Sequence, residues 1–124
     1  MTQDEFRRIA LGMQSAVEGA HMGHPDFRVN GRIFATLHPD GQQGMVKVTP
    51  DQQAALLQED PATFSPASGA WGRQGCTMVR LASADEATVG EAMTLAWQES
   101  ARKAPIRRPS GKKASRSAGP RRRR

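Results

Sequence analysis

The residues best suited to chemistry in this sequence are Lys and Arg side chains that gather at its C-terminal end. From Ala101 onward the chain holds 11 of its 18 basic residues and no Asp or Glu. Cations without acidic neighbours neutralise phosphates and release counterions, which predicts salt-sensitive binding of a polyanion without sequence preference. The alternative is a tail that only keeps the protein soluble or tethers it. We call residues 104–124 the basic tail, and its predicted binding residues are Arg107, Arg108, Lys112, Lys113, Arg116, Arg121, Arg122, Arg123 and Arg124.

The rest of the chain has the opposite charge. Residues 1–100 carry 7 basic and 12 acidic residues, so this part is net acidic although the whole chain has a net charge of +6. The asymmetry indicates a polyanion-binding arm attached to an acidic body. Most of the acids fall on predicted helices, and this acidic helical face is a candidate surface for a basic protein partner.

A second set of cations lies on predicted strands, where each alternates with apolar residues. Side chains two residues apart share one face of a sheet. These cations are therefore predicted to share the face opposite the apolar one, where they would contact phosphates. The alternative is an ordinary solvated sheet face. The residues concerned are Arg28, Arg32, Lys47 and Arg80, with His38 beside them.

One aromatic residue and one Gly-rich stretch could contact nucleic acid. Phe34 is in phase with Arg32 and would offer a surface for base stacking, unless a bulge displaces it into the core. Trp71 lies in a Gly-rich stretch, residues 69–75, which lacks the Lys-Ser/Thr of a phosphate-binding loop. We therefore predict a tight turn that carries Trp71 into the core, with Arg73 at its tip in reach of a phosphate.

Other combinations of reactive residues are incomplete. No carboxylate or cysteine completes an obvious metal-binding set with His21, His24 and His38. The lone Cys76 cannot form an internal disulfide and is predicted to be packed rather than reactive. We expect no catalytic residue, metal, cofactor or enzyme activity. No run of about 18 apolar residues occurs, so we expect a cytoplasmic protein that does not span a membrane.

Three helices are predicted from their start signals, in which Ser or Thr is followed three residues later by Glu or Gln. These signals lie at residues 2–5, 49–52 and 83–86. Gly12 is predicted to end the first helix, and Asp60-Pro61 the second. Trp97 belongs to the apolar stripe of the third.

The segments between the helices alternate with a period of two, which is typical of strands. Asn30-Gly31 accepts the positive φ angles of a type I′ turn and predicts a tight hairpin. Further strands are predicted at residues 45–49 and 77–81, and residues 14–24 could add a short one. The order predicts an α+β domain over residues 1–103, with helices on one face of an antiparallel sheet. Residues 104–124 bury too little to order themselves.

These segments together resemble the MmcQ/YjbR family of small bacterial proteins over residues 6–103. The resemblance rests on FRRIAL at residues 6–11, GHPDFRVNGRIFA at 23–35, LxxDP at 57–61 and GxWGRxG at 69–75. Two departures are Met22, where an aromatic residue often precedes the glycine, and Cys76, where the family often has Trp. The resemblance implies a frataxin-like (CyaY-like) fold, also likened to a double-winged DNA-binding domain, and the family is called DNA-binding on that basis.

The function we expect is non-enzymatic binding of nucleic acid, DNA first, with the basic tail supplying most of the affinity and the sheet face a smaller share. The alternative is a protein-interaction or small-ligand-binding module with a solubilising or tethering tail. An enzyme of unknown type ranks third.

Overall fold

Residues 1–21 and 23–103 are the part of the chain that the computed structural model describes, and they form four α-helices and six β-strands. The helices are α1 (Gln3–Leu11), α2 (Pro50–Glu59), α3 (Gly69–Arg73) and α4 (Glu86–Ala101). The strands are β1 (Val17–His21), β2 (His24–Val29), β3 (Arg32–Leu37), β4 (Gln43–Lys47), β5 (Phe64–Pro66) and β6 (Cys76–Arg80). The basic tail lies outside these residues. Within them, no helix is long and apolar enough to cross a membrane.

The strands form one antiparallel sheet in the order β1-β2-β3-β4-β6-β5. Phe6 of α1, Leu56 of α2 and Met93 of α4 enter a single hydrophobic core with the apolar side of the sheet. That side includes Phe27 and Val46, both fully buried. The predicted α+β fold with helices packed on one face of an antiparallel sheet is confirmed.

The helix starts depend on side-chain caps, and two of the three predicted ones are confirmed. Thr2 and Thr49 each form a capping box, and Gly12 ends α1. The predicted start at Ser83 is wrong, because residues 81–83 form a 3-10 turn and Asp85 caps α4 instead. The backbone N–H and the hydroxyl of Thr88 donate to Asp85 and lower the pKa of its carboxyl. The stabilisation from this cap is therefore present above the ordinary pKa of Asp and is lost as the pH falls through the lowered value.

The predicted β2–β3 hairpin has the predicted turn but an extra residue in one strand. Asn30 and Gly31 have φ angles of 54° and 77°, as a type I′ turn requires. Phe27 pairs with Ala35, whereas Arg28 pairs with Ile33, so Phe34 is the extra residue of a β-bulge. Phe34 is fully buried. The expectation that Phe34 offers a stacking surface is therefore wrong, and the alternative of displacement into the core is confirmed.

Three elements add to the predicted order. The ambiguous segment 14–24 does contain a strand, β1, which pairs with β2 at the edge of the sheet. The short strand β5 and the five-residue helix α3 were not predicted. α3 lies in the Gly-rich stretch for which a tight turn was predicted, and β5 precedes that stretch.

The strand phase can be tested by two charge substitutions at adjacent positions in β4. Val46 is fully buried, so Val46→Asp should lower the free energy of unfolding by about 3 kcal/mol, because it removes apolar burial and buries a charge or its neutral acid. Lys47→Glu changes a half-buried side chain on the opposite face and should cost less than about 1 kcal/mol. Urea unfolding of both variants measures the difference. Equal losses would show that the strand phase is wrong.

Candidate nucleic-acid interface

The side of the sheet away from the helices, which we call the open face, carries two of the predicted cations without an ionic partner among the described residues. In the β4–β6 pairing Lys47 lies opposite Cys76, and Gln43 lies opposite Arg80. Cys76 and Arg80 are four residues apart in β6, so Lys47 and Arg80 are about 13 Å apart along the strand direction. Met45 and Met78 lie opposite each other between them. Lys47 and Arg80 are therefore two separate cations with an apolar strip between them.

Arg28 is on the open face as predicted, but its charge is already neutralised. Its Nε and Nη2 donate to the two carboxylate oxygens of Asp26 at 2.8 and 3.0 Å. The Asp26 side chain is fully buried, and the Arg28 side chain is 37% exposed. The carboxylate raises the pKa of the Arg28 guanidinium, first through the hydrogen bond and then through its charge. Arg28 is thus held as the partner of a buried acid rather than as a phosphate-binding cation.

The bulge separates Arg32 from the other predicted cations. Arg32 pairs with Val29, and residues that pair directly in an antiparallel ladder point to the same side. Val29 belongs to the buried core. The Arg32 side chain therefore leaves the sheet on the face that the helices cover, whereas Arg28 is on the open face. The prediction that Arg32 joins the open face is wrong for this reason. His38 does extend the β3–β4 pairing, because its backbone N–H donates to Gln43, and it lies near the Arg80 end of the open face.

Arg80 also borders a groove of about 620 Å³ at the end of β4, β5 and β6. The groove is lined by polar residues such as Gln42 and Thr63 and by apolar residues such as Met1, Phe64 and Leu81. No acid is among its lining residues. A phosphate or carboxylate could contact Arg80 there, at a point remote from Lys47.

The Gly-rich stretch forms α3 and a turn, and it holds Trp71 outside the core. A Cβ on Gly72 or on Gly75 would overlap the carbonyl oxygen of Ala67 or of Val48, respectively. These two glycines allow α3 to lie directly on the backbone of its neighbours. Trp71 is 62% exposed, so the prediction that it enters the core is wrong. The glycines, and not the tryptophan ring, make the close contact.

Two Gly→Ala substitutions test this packing. Gly72→Ala should cost about 2–3 kcal/mol, because the new methyl group meets backbone atoms that cannot move aside. Gly90→Ala, in α4, meets no atom within 4 Å and should be neutral or stabilising by up to about 1 kcal/mol. Thermal unfolding of both variants measures the contrast. A Gly72→Ala protein as stable as Gly90→Ala would show that α3 does not pack against the Ala67 carbonyl.

Cys76 is buried, as predicted from its position after a glycine. Burial raises the pKa of its thiol, and the charge of Lys47 opposes this only in part. The thiol is consequently a poor nucleophile. Within residues 1–21 and 23–103, no three His, Cys, Asp or Glu side chains lie close enough together to hold a metal ion.

The body of the protein neutralises several more of its own cations. Arg7 pairs with Asp4 and Glu18, and Glu99 accepts bonds from Arg102 and Lys103. Residues 1–103 contain 9 Lys and Arg against 12 Asp and Glu, a net charge of −3. Of the cations predicted from the sequence, Lys47, Arg73 and Arg80 remain without an ion pair to any described residue. Arg107 to Arg124, the predicted binding residues of the tail, lie outside the described part.

Comparison with known proteins gives a family and a structural neighbour. A family model described as YjbR matches residues 11–99 of this chain. A crystal structure of a Deinococcus radiodurans protein of the domain family DUF419 is similar to it, with a TM-score of 0.68 and 19% sequence identity. The similarity covers 90% of this chain and 86% of that one, and it extends to the fold alone. No curated protein matches the chain.

Proposed function

The chain belongs to the YjbR family, and from this premise we propose that it binds nucleic acid through its basic tail, with a small contribution from the folded domain. The likeness of the family fold to double-winged DNA-binding domains supports the proposal as an analogy. A cytoplasmic, non-enzymatic role fits this proposal. DNA is the first candidate ligand because of the double-winged analogy, and contacts to phosphates alone would serve RNA equally.

The observation that carries the proposal is the division of charge along the chain. Residues 104–124 hold nine Lys and Arg and no acid, whereas residues 1–103 have a net charge of −3. A uniformly solubilising surface would not require this separation, since the body is already charged. A segment of nine cations can neutralise several phosphates at once, and the counterions released supply the affinity.

The folded domain provides only a weak addition to this binding. Arg28 already forms an ion pair with Asp26. Lys47 and Arg80 are about 13 Å apart along the sheet. Two such separated cations can each meet one phosphate, but they do not form a continuous basic groove. They also lie on a body whose net charge repels a duplex at long range.

Fluorescence anisotropy with two labelled duplexes of unrelated sequence tests the proposal. The full chain should bind both with affinities that agree within about threefold, since phosphate contacts carry no sequence information. A preference of 100-fold or more, on the order of what specific readout achieves, would move the main binding site to base-contacting residues. Absence of binding even at low salt would remove the proposal.

The second candidate is a protein-interaction module, and the exposed acids on its helices favour it. Glu86 and Glu91 of α4 are exposed and form no ion pair with a described residue. Together they offer a negative surface to a basic partner, with the tail as a tether. This candidate comes first if the full chain fails to bind nucleic acid.

A further inference from the structure

Trp71 is a large aromatic ring held in solvent. Among the described residues, the exposed large hydrophobic side chains are Leu11, Val17 and Trp71, at 38%, 59% and 62% exposure, and Trp71 is the aromatic one. An indole ring exposed to this extent does not contribute the free energy of folding that its burial in the core would provide. Trp71 belongs to the packed helix α3, so the position of this helix places the indole ring outside the core.

The helix that carries Trp71 is fixed on three sides. Gly72 lies against the backbone of Ala67, and Gly75 lies against Val48. The side-chain amide of Gln53, from α2, donates to the carbonyl oxygens of Gly72 and Cys76 at 3.0 and 2.9 Å. Because Gly72 faces the protein, its neighbours Trp71 and Arg73 project to either side of that contact. The ring is therefore presented on a rigid support, and ordering it for a ligand costs little conformational entropy.

The segment that contains α3 carries a cation and no acid. Arg73 is exposed and forms no ion pair with a described residue. The chain contains no Asp or Glu from Pro61 to Ala84, on either side of α3. Lys47 precedes Val48, whose carbonyl meets Gly75, so a second cation comes from the strand end on which α3 rests.

We propose that Trp71 is a stacking platform for an unpaired base of single-stranded nucleic acid, with Arg73, on the other flank of α3, contacting a phosphate further along the same strand. Bases of any kind stack on an indole ring, and cations beside the ring follow the sugar–phosphate backbone. Paired bases inside a duplex do not offer their faces, so the platform selects single strands. The proposal rests on the proposed function, in which the tail binds the same polymer less selectively.

The test uses the full chain, labelled oligomers of dT and rU of about 12 nucleotides, and a duplex of the same length. Trp71→Ala should weaken binding of single strands about tenfold. The same change should leave duplex binding and the salt slope unaltered, because no charge is removed. Trp71→Phe should restore most of the loss, since a smaller ring still stacks. Arg73→Gln should instead flatten the single-strand salt slope by about 0.7. Equal effects on dT and rU are expected, and a loss confined to rU would restrict the platform to RNA.

Several results would overturn this assignment while leaving the proposed function intact. One is single-strand binding by Trp71→Ala that equals that of the wild-type protein. Another is an equal loss of affinity for single strands and for duplex in Trp71→Ala, which would mean that the substitution disturbs the structure of the domain. A third is a dimer in sedimentation that Trp71→Ala converts to a monomer, which would place the ring between two copies of the chain. Failure of the full chain to bind any of the three probes would instead overturn the proposed function itself.

Discussion

Arg28→Glu will lower the free energy of unfolding by roughly 3–5 kcal/mol, far more than a surface charge reversal normally costs. The Asp26 carboxylate is fully buried, and Arg28 satisfies both of its oxygens. Removing the cation leaves a buried charge unpaired, and the new carboxylate repels it. Because the Arg28 side chain is 37% exposed, water can replace part of the lost interaction, so we expect the lower end of the range.

Arg80→Glu is the matched control for this prediction. It makes the same charge change on the same face, at an exposed residue that forms no ion pair within the described part of the chain, and should cost less than about 1 kcal/mol. A second check is Arg28→Gln with and without Asp26→Asn. The double variant should recover part of the stability that Arg28→Gln loses, because it removes the buried charge. Similar losses for Arg28→Glu and Arg80→Glu in urea unfolding would identify Arg28 as an ordinary surface cation.

The parts of the fold that depend on neighbouring residues could be predicted from the sequence. Capping by Thr2 and Thr49 requires a partner only three residues away, and the Asn30-Gly31 turn follows from the φ angles that these residues tolerate. Alternation in β4 and β6 placed Val46 and Val79 in the core, since both are fully buried. The strand order β1-β2-β3-β4-β6-β5 did not follow from local patterns or from the family resemblance.

The features that were missed depend on contacts between distant segments or on one inserted residue. A single bulge at Phe34 reverses the phase of β3, and it moves both Phe34 and Arg32 away from their predicted positions. The exposure of Trp71 follows from the contact of Gly72 with Ala67, which no periodicity shows. The Asp26–Arg28 pair did have a local signal, because residues two apart in a strand share a face. The complete burial of Asp26 does not follow from this spacing.

Removal of residues 104–124 should reduce affinity for duplex DNA by about two orders of magnitude or more at low salt. The truncated chain keeps the bonds that hold the end of α4. These are the side-chain amide of Asn30 with the Ala101 carbonyl at 3.0 Å and the Trp97 ring nitrogen with the Gln14 carbonyl at 2.9 Å. Loss of binding would therefore reflect lost cations rather than lost structure, and circular dichroism of residues 1–103 provides the control. Tight binding by residues 1–103 would instead place the site on the folded domain.

The salt dependence of duplex binding, measured for the full chain and for residues 1–103, tests the central claim most directly. If about six tail cations engage phosphates, the full chain should give a slope of log K against log salt near −5. Residues 1–103 should give a slope no steeper than about −3, which corresponds to the three cations Lys47, Arg73 and Arg80. Equal slopes for the two chains would contradict the account, because the phosphate contacts would then belong to the folded domain.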